Sequence, residues 1–185
     1  TRVGELSRVW AGIEAARAAG MAPIKINVVA IAGFNDAEVV NFARLTIPDP
    51  IQVRFIEFMP IGFFSEWRPQ QFLSSEEIKR RIENDGPLIP ASIPKNGHDG
   101  PARLFKFPGA AGEIGFISPI SDHFCHSCNR LRLTADGKLK TCLFSDEEVD
   151  LKSLLRSSCR DEELEKMLCE AISSKPLRYG YTGSG

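Results

Sequence analysis

Long apolar runs are missing from this chain of 185 residues, and so is any strong charge of one sign. No stretch approaches the roughly 18 consecutive apolar residues of a membrane-spanning helix. The start has neither the basic n-region nor the apolar h-region of a secretory signal. Lys and Arg number 23 against 24 Asp and Glu, a net charge of −1 that argues for neither a nucleic acid nor an anionic membrane as partner. Internal repeats and low-complexity tracts are absent too. Cysteine is sparse and odd in number, five in all, which points away from a disulfide framework. A reducing, cytoplasmic location is the expectation. An initiator methionine is also lacking: Thr1-Arg2-Val3 leads straight into a helical pattern, as expected of a piece of something longer.

What is present is concentrated in one block. Cys125-His126-Ser127-Cys128 is followed by Cys142, giving C-x2-C-x13-C, with Asn129-Arg130-Leu131-Arg132 directly behind the second cysteine. Two thiolates two residues apart reach one metal from a tight turn. The third returns on a hairpin, because Ala135-Asp136-Gly137-Lys138 is a turn signal between two short apolar–polar alternations. Structural zinc sites take four protein ligands, and common iron–sulfur clusters take four cysteines. A set of three leaves one metal position open, and the arginines beside it suit an anion. Three other readings fit the same residues. The cysteines are small buried hydrophobes, Cys125 and Cys128 form a disulfide, or a zinc ion takes His123 or His126 as its fourth ligand. Cys159 and Cys169 sit in or beside helical patterns and read as core residues.

Upstream, Val3, Leu6, Val9, Trp10 and Ile13 recur at three and four residues, an amphipathic helix stopped by Gly20. Ile24–Ala30 and Ile51–Phe58 read as strands, with a helix from Asp36 to Leu45 between them that ends before Pro48. Helix, strand, helix, strand with short loops predicts a parallel α/β arrangement. In a sheet covered on both faces Lys25, Asn27, Gln52 and Arg54 are out of place. Lys25 and Arg54 line the lumen of an open barrel, or they snorkel at an edge. The texture changes near Gly62. A short helix follows Ser74, Pro87–Pro101 reads as loop, a strand pair leads into the cysteine turn, and the last third is helical as far as Lys175-Pro176. A soft boundary near residue 66, with Trp67 in the seam, gives modules of 1–66 and 67–185.

These segments, taken together, resemble a known family. Arg54-Phe55-Ile56-Glu57-Phe58-Met59-Pro60, Gly100-Pro101-Ala102-Arg103, Gly115-Phe116-Ile117-Ser118-Pro119 and the block from His123 to Gly137 are similar to the C-terminal half of the GTP 3′,8-cyclases, the molybdenum cofactor biosynthesis protein A family of radical S-adenosylmethionine enzymes. The similarity runs from about residue 1 to residue 176. It implies an α/β fold: the C-terminal part of an incomplete (β/α)6 TIM-like barrel, followed by an α+β iron–sulfur cluster domain. Family members carry two [4Fe-4S] clusters. One cleaves S-adenosylmethionine to a radical that abstracts the 3′ hydrogen of GTP, and the other leaves an iron open to the guanine. The product is (8S)-3′,8-cyclo-7,8-dihydroguanosine 5′-triphosphate.

Carried over by position, the resemblance makes Cys125, Cys128 and Cys142 the ligands of the substrate-side cluster. Arg130, Leu131, Arg132 and Lys25 become GTP contacts, and Met59 and Arg54 contacts to S-adenosylmethionine. Alternation within Arg130-Leu131-Arg132 puts both guanidinium groups on one face of a strand leaving the cluster. The C-x3-C-x2-C of the radical-generating cluster is absent from these residues. The second cluster, the cofactor and lyase activity therefore belong to a longer parent with the other barrel half, and this chain alone is expected to be inactive. The family's paired terminal glycines are also absent from the stretch Arg178–Gly185. Expected partners are GTP and the missing barrel half, with a homodimer possible, and neither nucleic acid nor membrane. Two competing functions stay open: the auxiliary-cluster module of a peptide-modifying radical enzyme, and a zinc-binding interaction module. Peptide-modifying modules usually bring more cysteines, and zinc, being d¹⁰, is colourless.

Overall fold

The computed structural model describes residues 4–61, 67–91 and 100–176, so the expected tail 178–185, most of the Pro/Gly-rich loop and the chain around residue 66 lie outside the described residues. The protein is mixed α/β. By compactness it divides into two units, one holding the described residues up to Asp122 and the other those from His123, with Ile61 grouped with the second.

In the first unit, helix α1 (Leu6–Ala18) ends where Gly20 takes a positive φ of 73°. It leads to strand β1 (Ile24–Ala30). A 3-10 turn at Asp36–Glu38 then opens helix α2 (Val39–Arg44), a shorter α-helix than the sequence pattern suggests. Strand β2 (Ile51–Glu57) and helix α3 (Ser75–Glu83) follow. The Ser74 hydroxyl caps α3 by accepting from the Glu77 amide at 3.2 Å, and Glu76 and Glu77 suit the positive end of the helix. Strands β3 (Ile89–Pro90), β4 (Arg103–Lys106) and β5 (Glu113–Ile117) complete a sheet of order β1-β2-β5-β4-β3. The β1–β2 and β2–β5 pairs are parallel, and the rest are antiparallel.

The position of β5 differs from the sequence expectation. The strand pair β4–β5 was expected in the module beginning at residue 67, yet it joins β1 and β2 in one sheet. The modules 1–66 and 67–185 and the compact units thus divide the chain at different places. The close approach that allows this is visible at Gly112: a Cβ there would lie 2.2 Å from the Ile51 carbonyl oxygen and 2.5 Å from that of Asp49. Only glycine fits.

Registered neighbours share a face of the sheet. One face carries the rows Ile26–Val53–Ile114 and Val28–Phe55–Phe116, the centre of a core that α2 and α3 cover with Val39, Ala43, Ile78 and Ile82. At the end of this face sits Glu57, fully buried. Its carboxylate accepts from the amides of Ser75 at 2.9 Å, Ile120 at 2.9 Å and Ser121 at 3.0 Å, and from the Ser121 hydroxyl. One side chain thereby ties the end of β2 to the start of α3 and to the turn that delivers the chain to His123.

In the second unit, strands β6 (Arg132–Leu133), β7 (Lys138–Lys140) and β8 (Val149–Asp150) form an antiparallel sheet, followed by helices α4 (Leu151–Arg156) and α5 (Asp161–Ser173). Its core is thin: Leu139, Leu151 and Ala171 are buried, with Val149, Leu164, Met167 and Leu168 packed on them. Cys159 is half-buried and Cys169 is exposed, so Cys169 is not the core residue its helical pattern suggested. No described helix is long and apolar enough to cross a membrane.

Glu57→Ala is expected to destabilise the first unit by about 3 kcal/mol or more, since four donors lose a charged acceptor at a fully buried position. Trp67, whose indole N–H donates to the Phe58 carbonyl at 3.0 Å, reports on this region by fluorescence in a Trp10→Phe background. A urea midpoint unchanged by the substitution would contradict the assignment.

Candidate functional site

The cysteine turn begins as a 3-10 turn at Cys125–Ser127, closed by the Cys128 amide donating to the Cys125 carbonyl at 3.1 Å. The chain then enters β6. The Thr134–Lys138 turn is held by the Thr134 hydroxyl, which accepts from the Lys138 amide at 2.9 Å. Gly137 stands at a φ of 87° with Lys152 packed against it, so a side chain is excluded twice over. The hairpin register pairs Arg132 with Lys140 and Leu133 with Leu139. Two residues beyond that ladder lie Arg130 on one side and Cys142 on the other, so the hairpin returns the third cysteine toward the segment that follows Cys128. The ordered strand begins only at Arg132, so Arg130 and Leu131 precede it rather than alternate along it.

All three cysteines are half-buried, and none is bridged in this structure. Among the described residues no three His, Cys, Asp or Glu side chains are gathered tightly enough to hold a single metal ion. The donor set itself suits a thiolate-bound metal. Partial burial works against ionisation of the Cys128 thiol. That effect is outweighed by hydrogen bonds from the Arg130 backbone and side chain and by the charges of Arg130 and Lys175, which hold its pKa below the ordinary thiol value. The Arg130 guanidinium lies 5.0 Å over the Phe124 ring. Arg130 and Leu131 are exposed and Arg132 is half-buried.

The first unit carries the other expected residues on the sheet face opposite its core. Lys25, Gln52 and Glu113 form one registered row, and Asn27, Arg54 and Gly115 the next. Lys25 and Asn27 are exposed. Gln52 donates to Glu113 at 2.7 Å and accepts from Arg54 Nε at 2.5 Å, a relay across two strands. Gly115 makes this possible: a Cβ there would stand 3.1 Å from both Arg54 Cγ and Leu104 Cδ2. Met59 is half-buried just beyond the end of β2, next to the Phe58 carbonyl that Trp67 holds. Sequence reasoning passed over Glu57, Glu113 and Gly115. The available signals were a glutamate inside an apolar strand and a glycine inside another.

Comparison with known proteins places this arrangement in a class. Residues 51–181 match the family described as Molybdenum Cofactor Synthesis C, and the chain belongs to that family. Along nearly its whole length it is similar to proteins named GTP 3′,8-cyclase. It is 50 % identical over 183 residues to that of Alkaliphilus metalliredigens, covering 98 % of this chain and 55 % of the relative. With the protein of Thermodesulfovibrio yellowstonii it shares 50 % over 177 residues, 95 % of this chain and 54 % of the relative. The Pelotomaculum thermopropionicum protein is 47 % identical over 180 residues, 97 % of this chain and 55 % of the relative. The chain spans a little over half the length of these curated relatives.

In the metal-free chain, Cys128 is expected to be alkylated by iodoacetamide at a lower pH than a free cysteine, because its thiolate forms earlier. Arg130→Ala should move that profile upward. Peptide mass spectrometry across a pH series measures both, and a profile indifferent to Arg130→Ala would contradict the assigned cause.

Proposed function

We propose that the chain is the substrate-side portion of a radical S-adenosylmethionine lyase in molybdenum cofactor biosynthesis, a GTP 3′,8-cyclase that converts GTP to (8S)-3′,8-cyclo-7,8-dihydroguanosine 5′-triphosphate. The observation that carries this reading is identity of about half to proteins of that name along 95 % or more of the chain.

In this reading Cys125, Cys128 and Cys142 hold a [4Fe-4S] cluster. Such a cluster, when bound by three cysteines, supplies one open iron position to the guanine. The hairpin register that returns Cys142 supports it. So does the thin core of the second unit, since small units commonly need a metal or another staple to stay folded. Lys25, Arg130, Leu131 and Arg132 bind the nucleotide: lysine meets a phosphate as a point charge, and arginine as a fork. Arg54 and Met59 serve S-adenosylmethionine at the end of β2. The Gln52–Glu113 relay orients the Arg54 guanidinium.

The parallel strands β1, β2 and β5 belong, in this proposal, to an incomplete (β/α)6 barrel whose other half lies in the longer parent. Two observations support a covering half. Among the described residues β1 is the last strand of its sheet, and α1 exposes Leu6 at 70 %, Val9 at 58 % and Trp10 at 38 %. Sheet edges and apolar stripes of this kind are normally covered. These residues lack the C-x3-C-x2-C of the radical-generating cluster, so they do not cleave S-adenosylmethionine by themselves.

Reconstituted anaerobically with iron and sulfide, the chain is expected to hold about four irons. Cys142→Ala should abolish the brown chromophore, while Cys159→Ala and Cys169→Ala keep it. A colourless protein with stoichiometric zinc would favour the interaction-module alternative instead. The same preparation should release no 5′-deoxyadenosine from S-adenosylmethionine and dithionite, and production of it would place the wrong role on this cluster.

A further inference from the structure

Lys175 follows the C-cap of α5 and is half-buried, although it lies 47 residues from Cys128 in sequence. Its ammonium donates to two acceptors at once: the Arg130 carbonyl at 2.8 Å and the Cys128 sulfur at 3.5 Å. An N–H to sulfur bond is longer than one to oxygen, so both are full contacts. Pro176 ends the helix directly behind it, and the Lys175 amide donates back to the Ile172 carbonyl at 3.1 Å, so the lysine projects from a fixed stub. On the other flank of the same turn, the Arg130 guanidinium rests on the Phe124 ring.

We infer that Lys175 is a positioning residue for the metal centre proposed above: it fixes the Cys128 sulfur and the Arg130 carbonyl to the end of α5, and it hydrogen-bonds the ligand sulfur. The inference rests on the cluster reading and goes one step past the three ligands. Two consequences follow from the chemistry. Outer partners of metal ligands set ligand orientation, and their loss typically costs about 10–100-fold in metal affinity or activity. Hydrogen bonds to cluster sulfurs, together with a nearby positive charge, stabilise the more electron-rich reduced state and so raise the reduction potential. A lysine that only solvated a helix end would do neither.

The test compares the anaerobically reconstituted chain with its Lys175→Met and Lys175→Arg variants, folding being checked by circular dichroism. Lys175→Met should lose iron to a ferrous chelator about tenfold faster and show a lower potential in an EPR-monitored redox titration. Lys175→Arg, which keeps the charge and the donors, should recover most of both. Iron retention and potential unchanged in Lys175→Met would overturn the role of Lys175 while leaving the cluster reading standing. A wild-type chain that binds no iron would overturn the cluster reading and this inference with it. The metal-free chain gives a separate readout: succinimidyl iodoacetate, a short amine-to-thiol cross-linker, should join Lys175 to Cys128 in peptide maps. Absence of that link would overturn the contact itself.

Discussion

A carboxylate with no access to water must have its oxygens filled by donors, and Glu57 meets that requirement with three backbone amides and a hydroxyl. Those donors come from the start of α3 and from the turn after β5, two segments far apart in sequence that are also joined by the Ser75 hydroxyl donating to the Ile117 carbonyl at 3.5 Å. Because charge-assisted bonds are directional, they fix where the turn at 118–122 leaves the sheet more tightly than packing alone. The chain reaches His123 and the cysteines immediately afterwards. The exit of the first unit is therefore set by one buried charge on the same strand that carries Arg54 and leads to Met59.

The two faces of that strand divide the work. Val53 and Phe55 bury against the helices, while Gln52 and Arg54 stand on the opposite face in register with Lys25, Asn27, Glu113 and Gly115. A polar row inside a parallel sheet costs stability unless its members satisfy one another, and the Arg54–Gln52–Glu113 relay does so. Lys25 stands exposed on the same face. The second unit has the opposite character. Its three-residue core is small, and its order comes from turn geometry at Thr134–Lys138 and from helix ends: Asp150 caps α4 by accepting from the Ser153 amide at 3.0 Å. A metal bound by its cysteines would add what that core lacks.

Much of this was legible in the residues, for local reasons. Strands β1 and β2 and helices α1 and α3 follow from period and punctuation. The cysteine hairpin follows from spacing and an Asp-Gly turn. Non-local facts were not legible. Nothing near Glu113–Ile117 says that β5 lies beside β2, because the parallel pairing depends on a glycine at 112 tolerating a neighbouring backbone. Helix α1 forms where its period predicts, but it buries none of its residues, and what covers an apolar stripe is not written in the stripe. Arg130 and Arg132 were expected to alternate along one strand, whereas the chain becomes a strand only at Arg132. Lys175 carried no signal at all, since a lysine before a proline at a helix end looks like any solvated terminus.

The central claim is that the cysteine–arginine turn, when its cluster is loaded, recognises a guanine nucleotide through its phosphates. The most direct measurement is anaerobic titration calorimetry of the reconstituted chain with GTP and with guanosine, repeated on Arg130→Ala. GTP should bind more tightly than guanosine, and Arg130→Ala should cost roughly tenfold or more in GTP affinity, the order expected for one lost charge-assisted bond. Equal affinity for nucleoside and triphosphate, unaffected by Arg130→Ala, would contradict the account.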